Sequence, residues 1–92
     1  MPRFVSTKTR RTKHPQTVEA HQFDGTWFNG RFLTEWAYVP GMAVWNDNFT
    51  MSIQTPAGEM IAKKHDWITR NDALEFGVVE RFTFEDNYAA AE

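Results

Sequence analysis

The spacing of apolar residues changes from period two to helical and back along this chain, and this change constrains its fold more than any other feature. Residues 17–23 alternate between the two faces of a strand, until Asp24-Gly25 interrupts the pattern. From Thr26, a possible N-cap, apolar side chains recur at helical spacing, namely Phe28, Phe32, Leu33 and Trp36. The chain is therefore predicted to be an α+β protein in which one principal helix, roughly residues 27–37, packs on a small antiparallel sheet through those four side chains.

The remainder of the chain predicts short strands, because turn signals follow one another closely. Residues 49–55 alternate most cleanly, with Phe49, Met51 and Ile53 on one face. Pro56-Ala57-Gly58 then predicts a hairpin loop that returns into a partner strand. Further strands are predicted over residues 42–45, 59–63, 66–69 and 74–79. The expected sheet therefore has four to six strands.

The length of 92 residues suits one domain, since so short a chain buries only about 60 to 65% of its unfolded surface and cannot divide that core. The chain has no cysteine, so neither disulfides nor a thiolate zinc site can stabilise it, and a reducing intracellular compartment fits best. No stretch approaches the roughly 18 apolar residues that a membrane span requires. Neither a signal peptide nor a membrane segment is expected.

Basic residues are concentrated at the N-terminus. The first thirteen positions hold five cations and no acid, whereas the remainder carries five basic and twelve acidic residues. We therefore predict a flexible basic arm over residues 1–14, a single domain over residues 15–88 that begins at Pro15, and a short tail over residues 89–92. The arm can fold back on the acidic domain, become ordered on a protein partner, or bind about four or five phosphates of a nucleic acid.

The sequence contains no recognisable catalytic or metal centre. Nucleophilic catalysis would need a cysteine, or a serine or threonine with a base. Cysteine is absent, and neither Ser6 nor Ser52 lies in an elbow motif. His14, His21 and His65 lack the spacing of metal ligands, and there is no glycine-rich phosphate loop. We expect a protein that is not an enzyme and that uses neither cofactor nor metal.

Tryptophan provides the candidate binding residues. Trp36 falls on the predicted inner face of the helix and is assigned to the core, whereas Trp27 and Trp45 border polar turns. Tryptophan and arginine dominate the energetics of protein interfaces. The predicted partner-binding set therefore combines these two rings with the cations of the arm, namely Trp27, Trp45, Arg3, Lys8, Arg10, Arg11 and Lys13.

Residues 17–88 resemble a group of small, mostly uncharacterised bacteriophage proteins. The resemblance is carried by Val18-Glu19-Ala20-x-Gln22-Phe23, Thr55-Pro56-Ala57-Gly58-Glu59, Asp66-Trp67-Ile68, Glu75-Phe76, and Phe82 followed by Tyr88. The corresponding patterns of the group are a TPEGE hairpin, PGDWI or PGDYI, GEF and a terminal F-x-x-x-Y. This chain departs from them at Lys64-His65, where the group has Pro-Gly, and at Leu74, where the group has glycine. The spacing from Phe82 to Tyr88 is also wider than in the group, unless Phe84 takes the place of that phenylalanine.

The resemblance implies a viral accessory protein that acts in the cytoplasm of a bacterial host. Together with the candidate residues, it leads us to expect a protein that binds a host protein and modulates or inhibits it without catalysis. One alternative is a nucleic-acid-binding accessory protein that uses the basic arm. Another is a minor component of virion structure or assembly.

Overall fold

The computed structural model describes residues 3–9, 11–13 and 16–91, and it confirms the α+β class with one main helix. The elements in chain order are β1 (Arg3–Ser6), β2 (Thr17–Gln22), α1 (Trp27–Ala37), β3 (Ala43–Asn46), β4 (Thr50–Thr55), β5 (Gly58–Ala62), β6 (Trp67–Arg70), β7 (Phe76–Val79), α2 (Arg81–Asn87) and β8 (Tyr88–Ala90). No helix of the described part is long and apolar enough to span a membrane.

The strands form two antiparallel sheets, whereas the sequence predicted a single sheet of four to six strands. The large sheet has the order β7-β6-β2-β1-β8, and the small sheet has the order β3-β4-β5. The predicted hairpin is present, since β4 and β5 pair from Met51 with Ala62 to Thr55 with Gly58. The difference in strand number comes from β1 and β8, which lie in segments predicted to be unstructured.

Helix α1 begins where the sequence predicted. The Thr26 side chain accepts a hydrogen bond from the Asn29 amide at 3.2 Å, which caps the helix. The buried face, however, consists of Gly30, Leu33, Trp36 and Ala37. Phe28 was predicted to face the sheet and is instead exposed, whereas Phe32 is half exposed and keeps an edge contact with His21 of β2 at 4.8 Å. Gly30 lets the helix lie closely against Trp45 of the small sheet, and the Phe28 ring is left in solvent.

The main core lies on one face of the large sheet. It combines Ile68 and Phe76 of that sheet with Leu33 and Trp36 of α1 and with side chains of the small sheet, which are Ala43, Met51, Ile53 and Ala62. The small sheet and α1 therefore cover the same side of the large sheet.

A second aromatic cluster lies on the opposite face of the large sheet. The Phe84 ring of α2 stacks on Trp67 at 4.3 Å and on Tyr88 at 4.8 Å, and its edge contact with Phe4 has a centroid distance of 5.0 Å. Trp67 precedes Ile68 in β6, and successive residues of a strand point to opposite faces. The protein thus has two cores, separated by the five-stranded sheet.

The predicted flexible arm is wrong over Arg3–Ser6. This segment forms β1, which lies inside the large sheet and pairs with β2 on one side and β8 on the other. The predicted tail is likewise wrong over residues 89–90, which belong to β8. Pairing on both sides stabilises a strand whose own sequence is weakly patterned. The predicted boundary at Pro15 lies outside the described residues.

Candidate functional site

A groove of about 400 Å³ runs between α1 and β3, and both predicted tryptophan anchors line it. Trp27 comes from the first turn of α1 and Trp45 from β3. The remaining walls are formed by Arg31, Thr34 and Glu35 of the helix, and by Gly41, Ala43 and Val44 at the strand. The structure therefore brings together two residues that are 18 positions apart in the sequence.

Gly30 determines how Trp45 is seated. A β-carbon built on Gly30 would lie 2.5 Å from Cε3 of Trp45, a distance that no side chain can tolerate. The helix thus accepts the cost of glycine, about 1 kcal/mol relative to alanine, so that the indole can lie against its backbone. As a result Trp45 is only half exposed, and it packs against the main core.

Trp27 is held at the start of α1 with half of its surface exposed. Asp24 accepts hydrogen bonds from the amide and the hydroxyl of Thr26, so the chain entering the helix is fixed. The Arg31 guanidinium lies 5.6 Å from the centre of the Trp27 ring and forms an ion pair with Glu35 at 3.5 Å. The helical wall of the groove is therefore aromatic and has no net charge, because the positive charge of Arg31 is balanced by the negative charge of Glu35.

Two further exposed rings extend the groove into a surface that we call the aromatic patch, made of Trp27, Phe28, Trp45 and Phe49. The Phe28 ring contacts Trp27 at 5.2 Å and the Phe49 ring contacts Trp45 at 6.1 Å. Phe28 is 79% exposed and Phe49 is 67% exposed. Contiguous exposed apolar surface of this kind marks interaction sites in globular proteins. The sequence missed Phe28 because its helical spacing indicated a core position, and Phe49 because strand alternation did the same.

The backbone at Phe49 strengthens this assignment. Its φ of 65° lies in the left-handed region, and the turn between β3 and β4 needs that conformation at a position where glycine or asparagine is favoured. An exposed phenylalanine there is unfavourable for stability on both counts. Local conflict of this kind is typical of residues retained for binding.

The described basic residues of the N-terminal segment do not line the groove. Arg3 forms ion pairs with Glu19 at 3.9 Å and with Asp72 at 3.6 Å, and it also bonds to the Thr17 hydroxyl. Lys8 borders a separate cleft beside Tyr88. Arg11 and Lys13 are exposed, and Arg10 lies outside the described residues. Of the predicted binding set, the structure groups the two tryptophans and leaves the described cations apart from them.

A partly buried polar cluster beneath α1 links the helix to the large sheet. Glu19 accepts a hydrogen bond from Arg70 at 3.0 Å, and Arg70 stacks over Trp36 and donates to its backbone oxygen. This bond with Arg70 lowers the pKa of Glu19. His21 lies edge-on to Phe32 and Trp36, and its burial there lowers its pKa. These groups are committed to the fold, so their shifted pKa values reflect packing.

A larger groove of about 530 Å³ lies beside the loop between β6 and β7, but its carboxylates are already engaged. Glu75 accepts from the Asn71 side chain at 2.9 Å, and Asp72 pairs with Arg3. Among the residues that the structure describes, no three potential metal ligands come together. We therefore assign the candidate site to the groove beside the aromatic patch.

Comparison with known proteins gives no identification, since no family model, no curated protein and no solved structure matches this chain.

Proposed function

We propose that this chain is a phage-type accessory protein that binds a bacterial host protein through the groove between α1 and β3 and thereby modulates it without catalysis. The observation that carries the proposal is the meeting of Trp27 and Trp45 in one groove, with Phe28 and Phe49 exposed at its margins. Rings of this size each bury roughly 150 to 250 Å² when covered, which makes them effective anchors for a partner.

The backbone supports the resemblance to the phage group. The group has glycine at the positions of His65 and Leu74, and both residues have positive φ here, 81° and 60° respectively. A left-handed backbone favours glycine because it has no β-carbon. At these two positions, where the group has glycine, this chain therefore keeps the left-handed backbone that glycine favours.

Capture of host proteins tests the proposal. The tagged full chain is incubated with a bacterial lysate, and the retained proteins are identified by mass spectrometry. We expect one host protein to be enriched on the wild type and lost from Trp27→Ala. Phe82→Ala is the matched control, because Phe82 is 58% exposed, comparable with 48% for Trp27, and does not line the groove.

The same variants test whether binding through the groove changes the activity of the host protein. Addition of the wild-type protein to the purified host protein should change its activity, and Trp27→Ala should not. The proposal is wrong if both variants capture the same proteins as the wild type, or if the captured protein is unaffected by stoichiometric binding.

A further inference from the structure

We infer that the groove receives an extended segment of the partner protein, which adds as a new strand to the edge of β3. This inference rests on the proposed function, because it describes how the same groove holds its partner. It adds the conformation and the chemistry of the segment that binds.

The groove follows the edge of β3 and does not lie over one face of the sheet. Ala43, Val44 and Trp45 all line it, although consecutive residues of a strand point to opposite faces. Within the described residues β3 pairs with β4 alone, and it is one of the two outer strands of the small sheet. The space beside this strand is therefore the position of a missing neighbour.

The hydrogen-bond pattern shows which backbone groups face that space. The amide of Gln54 donates to the carbonyl of Met42 at 2.9 Å, so these two residues form a hydrogen-bonded pair. In an antiparallel ladder such pairs alternate with pairs that make no bond across the ladder. Val44 and Asn46 consequently bond to β4, whereas the N–H and C=O groups of Ala43 and Trp45 point into the groove.

These groups have no backbone partner among the described residues, and the side chains of the strand do not protect its edge. Edge strands are usually shielded by charged residues or proline. The four residues of β3, Ala-Val-Trp-Asn, include neither. A chain running in the groove would satisfy donors and acceptors that are otherwise left to water, which is the chemistry of strand addition.

The occupant must be a single extended segment, because α1 forms the opposite wall. A second copy of this chain would have to bring its own α1 into the space beside β3 together with the pairing strand. A loop, a terminus or a linker of a partner has no such obstacle. The Arg31–Glu35 ion pair leaves the helical wall without net charge, so it complements an uncharged segment.

The groove also specifies the side chains of the segment. Residues of an added strand alternate, and every second one points to the side on which Trp27 and Trp45 lie. We expect aliphatic or aromatic residues at those positions and polar residues between them.

A random library of unstructured peptides of about nine residues, a usual strand length, provides the probe. The full chain is used for selection, and the peptide with the highest affinity is synthesised with N-methyl groups at one backbone position at a time. Each methyl group that removes a bond to Ala43 or Trp45 should weaken binding about two- to tenfold, and the intervening positions should change little. Trp27→Ala should weaken the unmodified peptide about tenfold or more, and Phe82→Ala should not.

Amide hydrogen exchange provides a second measurement on the wild-type protein. The amide of Trp45 should become protected when the selected peptide binds, whereas the amide of Asn46, bonded within the small sheet, should be protected with or without it.

Four outcomes would overturn the inference. These are methylation effects without a two-residue period, a bound peptide that is helical, a protein that dimerises through β3, and a library that yields no peptide dependent on Trp27. In each case, capture of a host protein that depends on Trp27 would still support the proposed function. Failure of strand addition can therefore be distinguished from failure of the proposed function.

Discussion

Four non-glycine residues of the described chain have positive φ. They allow a strained backbone position in the aromatic patch to be compared with strained positions away from it. The four residues are Tyr38, Phe49, His65 and Leu74. The left-handed conformation costs a residue with a β-carbon roughly 1 to 2 kcal/mol. Phe49 belongs to the aromatic patch, whereas His65 lies in the loop before β6 and does not line the groove.

Replacing Phe49 by glycine should therefore stabilise the fold and weaken binding. We expect Phe49→Gly to raise the free energy of unfolding by roughly 1 kcal/mol, because glycine relieves the left-handed backbone but is more flexible when unfolded. Host-protein capture should fall. His65→Gly is the matched control, since it should give a similar gain in stability with capture unchanged. Urea unfolding and pull-down yield measure the two effects. Equal capture by both variants would contradict a binding role for Phe49.

His21 should make stability depend on pH. Burial between Phe32 and Trp36 lowers its pKa, as does the positive charge of Arg70, while Glu19 acts in the opposite direction. The unfolded chain then binds a proton that the folded chain resists, so this contribution is complete above the unfolded pKa of about 6.5 and is lost as pH falls below it.

Urea unfolding between pH 8 and pH 5 tests this dependence. The wild type should lose stability over that interval, and His21→Gln should lose less. His65→Asn removes an exposed imidazole and should keep the wild-type dependence. Identical pH profiles for the wild type and His21→Gln would show that another group titrates.

At the scale of secondary-structure elements, the sequence predicted the helix and the strands whose own residues show a clear apolar periodicity. The bounds of α1 follow from the Thr26 cap and from Pro40-Gly41, and the β4–β5 hairpin follows from alternation around a Pro-Ala-Gly turn. Helix α2 was missed because it has only seven residues, its cap is a glutamate, and Phe82 and Phe84 are two positions apart, as in a strand. The groove itself depends on how closely α1 approaches Trp45, and the absence of a side chain at Gly30 permits this approach in a way that no periodicity records.

Strand β1 was missed because its stability comes from neighbours distant in the sequence. Phe4 makes edge contacts with Trp67 and Phe84, at 5.3 and 5.0 Å between ring centres. We expect Phe4→Ala to lower the free energy of unfolding by about 3 kcal/mol, the lower part of the usual range, since Phe4 is half-buried. Removal of residues 1–6 should cost more.

Thermal melts followed by circular dichroism provide the measurement. Lys8→Ala is the control, because this side chain lies outside both cores and its removal should change stability by less than about 0.5 kcal/mol. If Phe4→Ala melts like the wild type, β1 does not contribute to the large sheet as described.

On the scale of the whole molecule, the large sheet separates the aromatic patch from the surface that carries the start of the basic segment. Thr7 donates its amide to the Asn87 carbonyl at 2.8 Å, and Lys8 lines a cleft with Tyr88, whose ring belongs to the second aromatic cluster. The patch lies with α1 and the small sheet on the other side. Charge and aromatic surface are thus presented in different places.

This separation predicts that partner capture is independent of the three exposed cations described in the basic segment. The triple variant Lys8→Ala, Arg11→Ala and Lys13→Ala should retain the host protein as well as the wild type, and capture should persist when salt is raised from about 50 to 200 mM. A contact through several basic residues would be weakened strongly over that range, because salt screens charges at the surface. Trp27→Ala should abolish capture at both salt concentrations.

The reverse result, in which the triple variant or added salt releases the partner and Trp27→Ala retains it, would move the binding surface to the basic segment. Binding of short duplex DNA by the wild type but not by the triple variant would then support the nucleic-acid alternative.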